Sequence, residues 1–331
     1  MEMTIDLLII GAGWTSTFLI PLLEREGIKH AATTTDGRDG TIPFKFDPAS
    51  EDPAPFERLP DARTVLITFP LKGRGESKRF LSLWHATHNN NKGCSSSSSS
   101  TSSAKEKTTH FIQLGVTSIW PASKDEEGEE DPGWQDETSP YDKSSARAIA
   151  EDELIEESSS ASYHHHYSAA VLSLAGLYGG ARQPRDWLTR VVKAKADLAS
   201  KGALHVVHGE DVARAVVALH RHFTPGKRWL LSDTRVYDWW DLAQDWASAA
   251  VKQKEEEGGG GCATTGLGAG QNQMSAERLA QHEEILKWVG ELMLEKNVRA
   301  LPRDTSSLGR RLDGRGFWKH MGIWPSQGRI R

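Results

Sequence analysis

The chain has 331 residues, with 40 lysines and arginines against 45 aspartates and glutamates, so its formal net charge of -5 excludes the basic footprint of a nucleic-acid surface. Its two cysteines, Cys94 and Cys262, both lie in low-complexity tracts, which excludes a disulfide framework and argues against a zinc site. No apolar run approaches the ~18 residues that span a bilayer, and the opening strand carries Glu2 and Asp6 rather than a basic leader, so a cytoplasmic protein without a membrane partner is expected.

Leu7, Leu8, Ile9 and Ile10 run straight into Gly11, Ala12, Gly13, Trp14, Thr15 and Ser16, and then into Phe18, Leu19 and Ile20. This reads as a buried parallel strand, a tight glycine turn and a helix over residues 15–26. A helix start carries unpaired N–H groups and partial positive charge, and glycines at 11 and 13 let a pyrophosphate approach the backbone. The third position of the G-x-G-x-x-G/A fingerprint is Ser16, small enough to keep the helix near the strand. The turn nominates a dinucleotide, with the Thr15 and Ser16 hydroxyls adding bonds to phosphate.

A second strand is expected near residues 30–35, followed by Asp36-Gly37-Arg38-Asp39-Gly40. A carboxylate at 36 would bond the 2'-hydroxyl of an adenosine ribose and favour NAD, whereas Arg38 could receive a 2'-phosphate and favour NADP. A hydrophilic turn also accounts for the pattern, so the cofactor is NAD or NADP. A short strand over 44–47 and a strand over 64–69 follow, the latter ending in Thr68, Phe69 and Pro70, where such folds bring the backbone close to the nicotinamide-side ribose. Next come a helix over 77–88 and strands beginning at 110 and at 169. Strands alternating with helices predict an α/β fold: a doubly wound, mostly parallel Rossmann-type sheet with helices on both faces.

Three stretches break this rhythm, at 89–109, 158–167 and 253–273, and their composition marks them as surface insertions. The acidic run at 125–131 reads as a solvated loop. His164, His165 and His166 are consecutive and so point different ways, which speaks against a metal site. Beyond residue 176 the pattern shifts to a smaller substrate-side lobe over 177–331, interleaved with the cofactor domain of 1–176. A helix is expected over 183–195, a strand over 204–208, helices over 210–222, 237–251 and 276–295, and a strand over 228–232. His208 and Asp211 read as a strand-end hydrogen bond and a helix cap. The twelve tryptophans, spread from Trp14 to Trp324, read as core and pocket walls.

Several motifs occur in register: Gly11-Ala12-Gly13-Trp14, Gly115 to Trp120, Glu137-Thr138-Ser139-Pro140-Tyr141, Arg147 with Ala150-Glu151, Leu174 to Gly179, and His208 to Ala213. In this order they resemble the extended short-chain dehydrogenases/reductases, as an atypical member of the NAD-dependent epimerase/dehydratase-like branch. The resemblance implies that Thr117 and Ser118 lie where a hydroxyl polarises the substrate oxygen, that Tyr141 is the acid/base, and that Tyr178 sits by the nicotinamide. It also implies a lysine four residues after Tyr141, where this chain has Ser145. An unassisted tyrosine titrates near ~10. On a helix Lys143 would point away from Tyr141 and Arg147 would lie about 120° round.

Two functions follow. One is an NAD(P)-dependent oxidoreductase or epimerase-like enzyme acting on a small carbonyl/hydroxyl or sugar-nucleotide-type substrate. The other is a non-catalytic NAD(P)-binding sensor that lacks the tyrosine-lysine chemistry. The resemblance also implies a homodimer as one assembly open to the chain, formed through helices near 77–88 and 144–157.

Overall fold

A computed structural model describes residues 5–88, 108–121, 133–163, 166–259 and 276–330. Cys94, Cys262, His164, His165 and the acidic run 125–131 lie outside these residues. The central sheet has seven strands: β1 (Ile5–Ile10), β2 (His30–Thr34), β3 (Ile42–Pro43), β4 (Ala62–Ile67), β5 (Thr109–Val116), β6 (Tyr167–Leu174) and β7 (Arg228–Leu231). Their order across the sheet is β7-β6-β5-β4-β1-β2-β3, and every neighbouring pair is parallel. The chain moves outward from β1 to β3, then restarts on the other side at β4. The strand order therefore reverses between β1 and β4, where open α/β sheets form a crevice at the carboxyl ends of the strands.

Period-two alternation makes this a three-layer structure. Leu7 and Ile9 of β1, with Leu66, Ile112 and Leu172, pack on one face against α1 (Ser16–Arg25) and the helix Gly209–Arg221. Leu8 and Ile10, with Val65, Ile67 and Phe111, face Phe80 and Trp84 of α2 (Glu76–His88) and Leu154 of α3 (Ala146–Ser158). The β1 residues Leu7 to Ile10 are all fully buried, each side chain contributing about 1.5–3 kcal/mol. Strand β7 comes from the second half of the chain yet completes the sheet. That half builds its own core from Leu188, Trp239, Trp240, Trp246, Ile285 and Val289.

Four local expectations are corrected. The stretch 158–167 is not a surface insertion in its described residues, because Tyr163 and Tyr167 are buried core residues and Tyr167 opens β6. The third strand is Ile42–Pro43 rather than 44–47, because Thr33 pairs with Ile42 and Thr34 with Pro43. The helix expected over 183–195 is a 3-10 turn (Pro184–Trp187), a single turn (Leu188–Val191), a break, and the helix Lys195–Ala199. Val192 is extended at the break, and the Asp197 carboxylate accepts the backbone N–H groups of Lys193 and Ala194 at 2.8 and 2.9 Å, starting a new helix. The strand expected over 204–208 is two pieces, Ala203–Leu204 and Val206–His208. Between them His205 is buried among the Arg235 and Arg310 carbonyls and the Leu312 N–H, which lowers its pKa to about 4 chiefly through burial.

Candidate functional site

Strand β1 ends in the middle of the sheet mouth, and the chain turns there through Gly11, whose φ is +95. A Cβ at this position would stand 2.7 Å from Thr68 Oγ1 and 3.2 Å from Phe69 Cδ1, so only glycine fits. The turn is tied on both sides. Gly11 N–H donates to Thr33 Oγ1 at 3.0 Å, Ala12 N–H to the Thr33 carbonyl at 2.6 Å, and the Thr68 hydroxyl to the Gly11 carbonyl.

The next residues are left open. The N–H groups of Gly13, Trp14 and Thr15 have no acceptor among the described residues, and they precede the first turn of α1. A Cβ at Gly13 would meet nothing closer than the Gly11 carbonyl at 3.9 Å. Three consecutive free donors at a helix start, beside an exposed glycine with open space over it, form an anion cradle that fits a pyrophosphate. Ser16 is 4% exposed, and its Oγ has no hydrogen-bond partner among the described residues.

At the end of β2, Asp36 Oδ1 accepts from the Thr34 hydroxyl at 3.1 Å and pairs with Arg38 Nη1 at 3.2 Å. The Thr34 bond first, with backbone bonds and Arg38 acting alongside it, holds the Asp36 carboxyl below the usual carboxylate range. Both candidate selectors of the cofactor thus occupy one exposed corner beside the cradle. Thr68 locks the turn through its bond to Gly11, Phe69 stacks on Phe46 at 6.1 Å, and Pro70 is exposed.

The far wall comes from the second half of the chain. Trp14 Nε1 donates to the Gly179 carbonyl at 3.3 Å, and the Trp14 ring meets Phe18 edge-on at 5.0 Å. Phe18 in turn packs on His208, and His208 on Tyr178. Gly179 has φ +117, and a Cβ there would stand 2.3 Å from His208 Nε2. Tyr178 is buried, which raises its hydroxyl pKa to about 12, and it donates to the Gly328 carbonyl at 3.4 Å. His208 caps the helix Gly209–Arg221 by accepting the Glu210 N–H at 3.2 Å. Asp211 does not cap; its buried carboxylate binds Ser326, Gln327 and Arg214, pinning the C-terminal segment.

Tyr141 lies in a different environment. It precedes α3 rather than standing on it, because Ser145 is the N-cap residue and the Asp142 N–H is taken by the Ile119 carbonyl at 2.8 Å. The helical spacing of Lys143 and Arg147 from Tyr141 therefore does not apply. The Tyr141 hydroxyl donates to Asp152 Oδ1 at 2.7 Å. As the crossover between parallel strands β5 and β6, α3 runs back from the sheet mouth. Asp152 lies six residues past its start, about 9 Å along the axis.

A cation from elsewhere in the chain does approach this tyrosine. The Arg228 guanidinium lies 4.8 Å over the ring, and its Nη2 pairs with Asp152 at 2.8 Å. Arg228 Nη1 also binds Glu151, whose other oxygen receives Arg147 at 3.2 Å, while Arg147 Nη2 donates to the Leu114 carbonyl at 2.7 Å. Burial first and the Asp152 bond second raise the Tyr141 pKa, against a lowering by Arg228. The sequence signal for this array was an arginine opening the apolar strand Arg228-Trp229-Leu230-Leu231, paired with the adjacent acids Glu151 and Asp152.

Thr117 and Ser118 follow β5, with Thr117 buried and its carbonyl held by Arg310 at 3.1 Å, and Ser118 exposed. The structure thus joins Gly11 to Ser16 with Thr68, Phe69 and, through Trp14, the turn after Tyr178. Tyr141 belongs to the Asp152–Arg228 array instead.

No family model and no curated protein matches the sequence. Solved structures do match the fold. A functionally unknown conserved protein from Silicibacter pomeroyi aligns with a TM-score of 0.54 at 14% identity, over 99% of this chain and 95% of that one. UDP-glucose 4-epimerase from Thermus thermophilus, solved in complex with NAD, aligns with a TM-score of 0.54 at 14% identity over 99% and 96%. A putative NAD-dependent epimerase/dehydratase from Methylobacillus flagellatus gives 0.50 at 15% identity over 96% and 99%. The chain shares the Rossmann-type α/β fold of these solved structures. Among the described residues, no helix is long and apolar enough to cross a membrane and no group of acids, histidines or cysteines could hold a metal ion.

Proposed function

We propose that the chain binds NAD or NADP at the glycine turn and acts as an oxidoreductase or epimerase-like enzyme on a small substrate bearing a carbonyl or hydroxyl. The observation that carries the proposal is the cradle: three free N–H donors from Gly13 to Thr15, beside a glycine whose side-chain space is open. The pyrophosphate takes those donors, Asp36 or Arg38 meets the adenosine ribose, and Thr68, Phe69, Pro70 and Tyr178 line the approach to the nicotinamide. The bound cofactor would supply hydride transfer. Thr117 and Ser118 orient the substrate oxygen at the end of β5.

Within this proposal Tyr141 is the proton donor, which requires its hydroxyl to leave Asp152 for the substrate oxygen. Burial and the Asp152 bond raise its pKa, so the phenol is protonated at neutral pH but is a weaker acid than a free tyrosine until the Arg228 cation offsets that shift. The second reading, a cofactor-binding sensor, is favoured by one specific bond, the donation of that same hydroxyl to Asp152. Hydride exchange against a panel of aldehydes, ketones and sugar nucleotides separates the two. Turnover that Tyr141→Phe reduces supports the enzyme with Tyr141 as acid. Unchanged turnover in the variant removes Tyr141 from the chemistry, and saturable cofactor binding with no turnover establishes the sensor. The α2 and α3 helices, packed side by side, are the surface on which the same proposal places a homodimer.

A further inference from the structure

The geometry points to an oxyanion-recognition pocket in the segment that follows Tyr178, so that the substrate of this site carries a carboxylate or phosphate group. This inference rests on the cofactor reading above, because the pocket adjoins the glycine turn.

Leu177, Arg182, Gln183, Asp186, Trp187 and Arg190 line a cleft of about 600 Å³. That is the size of a small-molecule site, which runs from about 300 to 1,000 Å³. The cleft is tied to the cradle through two residues. Arg182 and Gly179 exchange backbone hydrogen bonds at 2.9 and 3.0 Å, and the Gly179 carbonyl also accepts the Trp14 indole. The Arg182 guanidinium lies 4.4 Å over the Trp14 ring, a cation–π contact that ties it to the turn.

Arg147, Arg214, Arg228, Arg303, Arg315 and Arg329 each pair with a carboxylate. Neither Arg182 nor Arg190 has a carboxylate partner among the described residues, although Asp186 lines the same cleft. Arg190 Nε donates to the Asp186 carbonyl at 3.0 Å, which fixes the side chain and leaves its terminal amino groups available. Two anchored guanidinium groups beside an indole face match a small molecule with an oxyanion at one end and a carbon skeleton behind it. In a chain of net charge -5 this is a local device, distinct from any bulk basic character. Carboxylate and phosphate present the same acceptor chemistry to arginine, and the experiment separates them.

Malonate, inorganic phosphate and uncharged malonamide are titrated by calorimetry into the full chain, into Arg190→Gln and into the Arg182→Gln/Arg190→Gln double variant. The expected result is saturable binding of malonate or phosphate, none of malonamide, and a loss of at least about tenfold in affinity in the double variant. Whichever oxyanion binds more tightly identifies the group. Both arginines are exposed, and retained circular dichroism with retained NADH binding shows that the double variant is folded. Arg190→Gln alone, which leaves the Arg182–Trp14 contact in place, gives a smaller loss in the same direction. No saturable binding of either oxyanion, equal binding of malonamide, or unchanged affinity in the double variant overturns the pocket. Oxyanion binding without NADH or NADPH binding keeps the pocket and overturns the cofactor reading instead.

Discussion

The glycine turn and the Tyr141 corner sit on the same fold but stand in opposite states of satisfaction. At the turn, Gly11 is locked by Thr33 and Thr68 while Gly13, Trp14 and Thr15 keep three donors free. At the corner, Tyr141, Asp152, Arg228, Glu151 and Arg147 spend their polar groups on one another. Free N–H donors at an accessible helix start are available to an anion, whereas an array of side chains paired with one another marks structure. The contrast is that of a site built to receive something and a site already filled by its own side chains.

The strongest way to break the contrast is within the turn itself. Gly11→Val forces a β-branched residue to φ +95 with its Cβ 2.7 Å from Thr68 Oγ1, which costs on the order of 3 kcal/mol or more. Gly13→Val meets only an atom at 3.9 Å, so its melting temperature stays within about 4 °C of the parent, a ΔΔG below about 1 kcal/mol. Thermal denaturation of the two variants side by side tests this, and equal destabilisation would mean that the cradle has been misplaced.

Glu151→Ala leaves Arg147 and Arg228 without the carboxylate between them and costs about 3 kcal/mol in urea unfolding. A loss near zero would show that the array is not a closed structural unit. At the edge of the turn, Arg38→Gln weakens NADPH by about tenfold if Arg38 takes the 2'-phosphate and leaves NADH unchanged. An equal effect on both cofactors would assign Arg38 to the Asp36 turn alone. Tyr141→Phe removes one hydrogen bond to Asp152 and costs about 1 kcal/mol of stability.

A pH measurement sharpens the same distinction. His205, buried and bonded beside Leu312, titrates near about 4 in the folded chain rather than near its ordinary 6.5. The unfolded chain takes up that proton first, so the His205 contribution to stability is full above 6.5 and is lost as pH falls through about 4. Proton NMR of the His205 ring checks the value, and titration near 6.5 would place it in a solvated setting.

The turn was legible because backbone chemistry writes itself into short spacing: a run of apolar residues, two glycines and a small residue at the third position. The doubly wound sheet was legible for the same reason, since parallel strands buried on both faces read as continuous apolar runs. The Tyr141 corner was not. Its partner Arg228 lies 87 residues away in sequence, and only the fold brings the β7 start to α3. The short helices after Pro184 were misread as one helix because the break depends on Asp197 reaching back to the backbone of Lys193 and Ala194.

Tryptophan fluorescence reads occupation of the open turn by a nicotinamide dinucleotide directly, because Trp14 belongs to the turn. Titration with NADH and NADPH should quench the emission saturably with at least one of them, and Gly13→Val should weaken that binding by at least about a hundredfold while remaining folded. No saturable change with either cofactor, or unchanged affinity in the folded variant, contradicts the account.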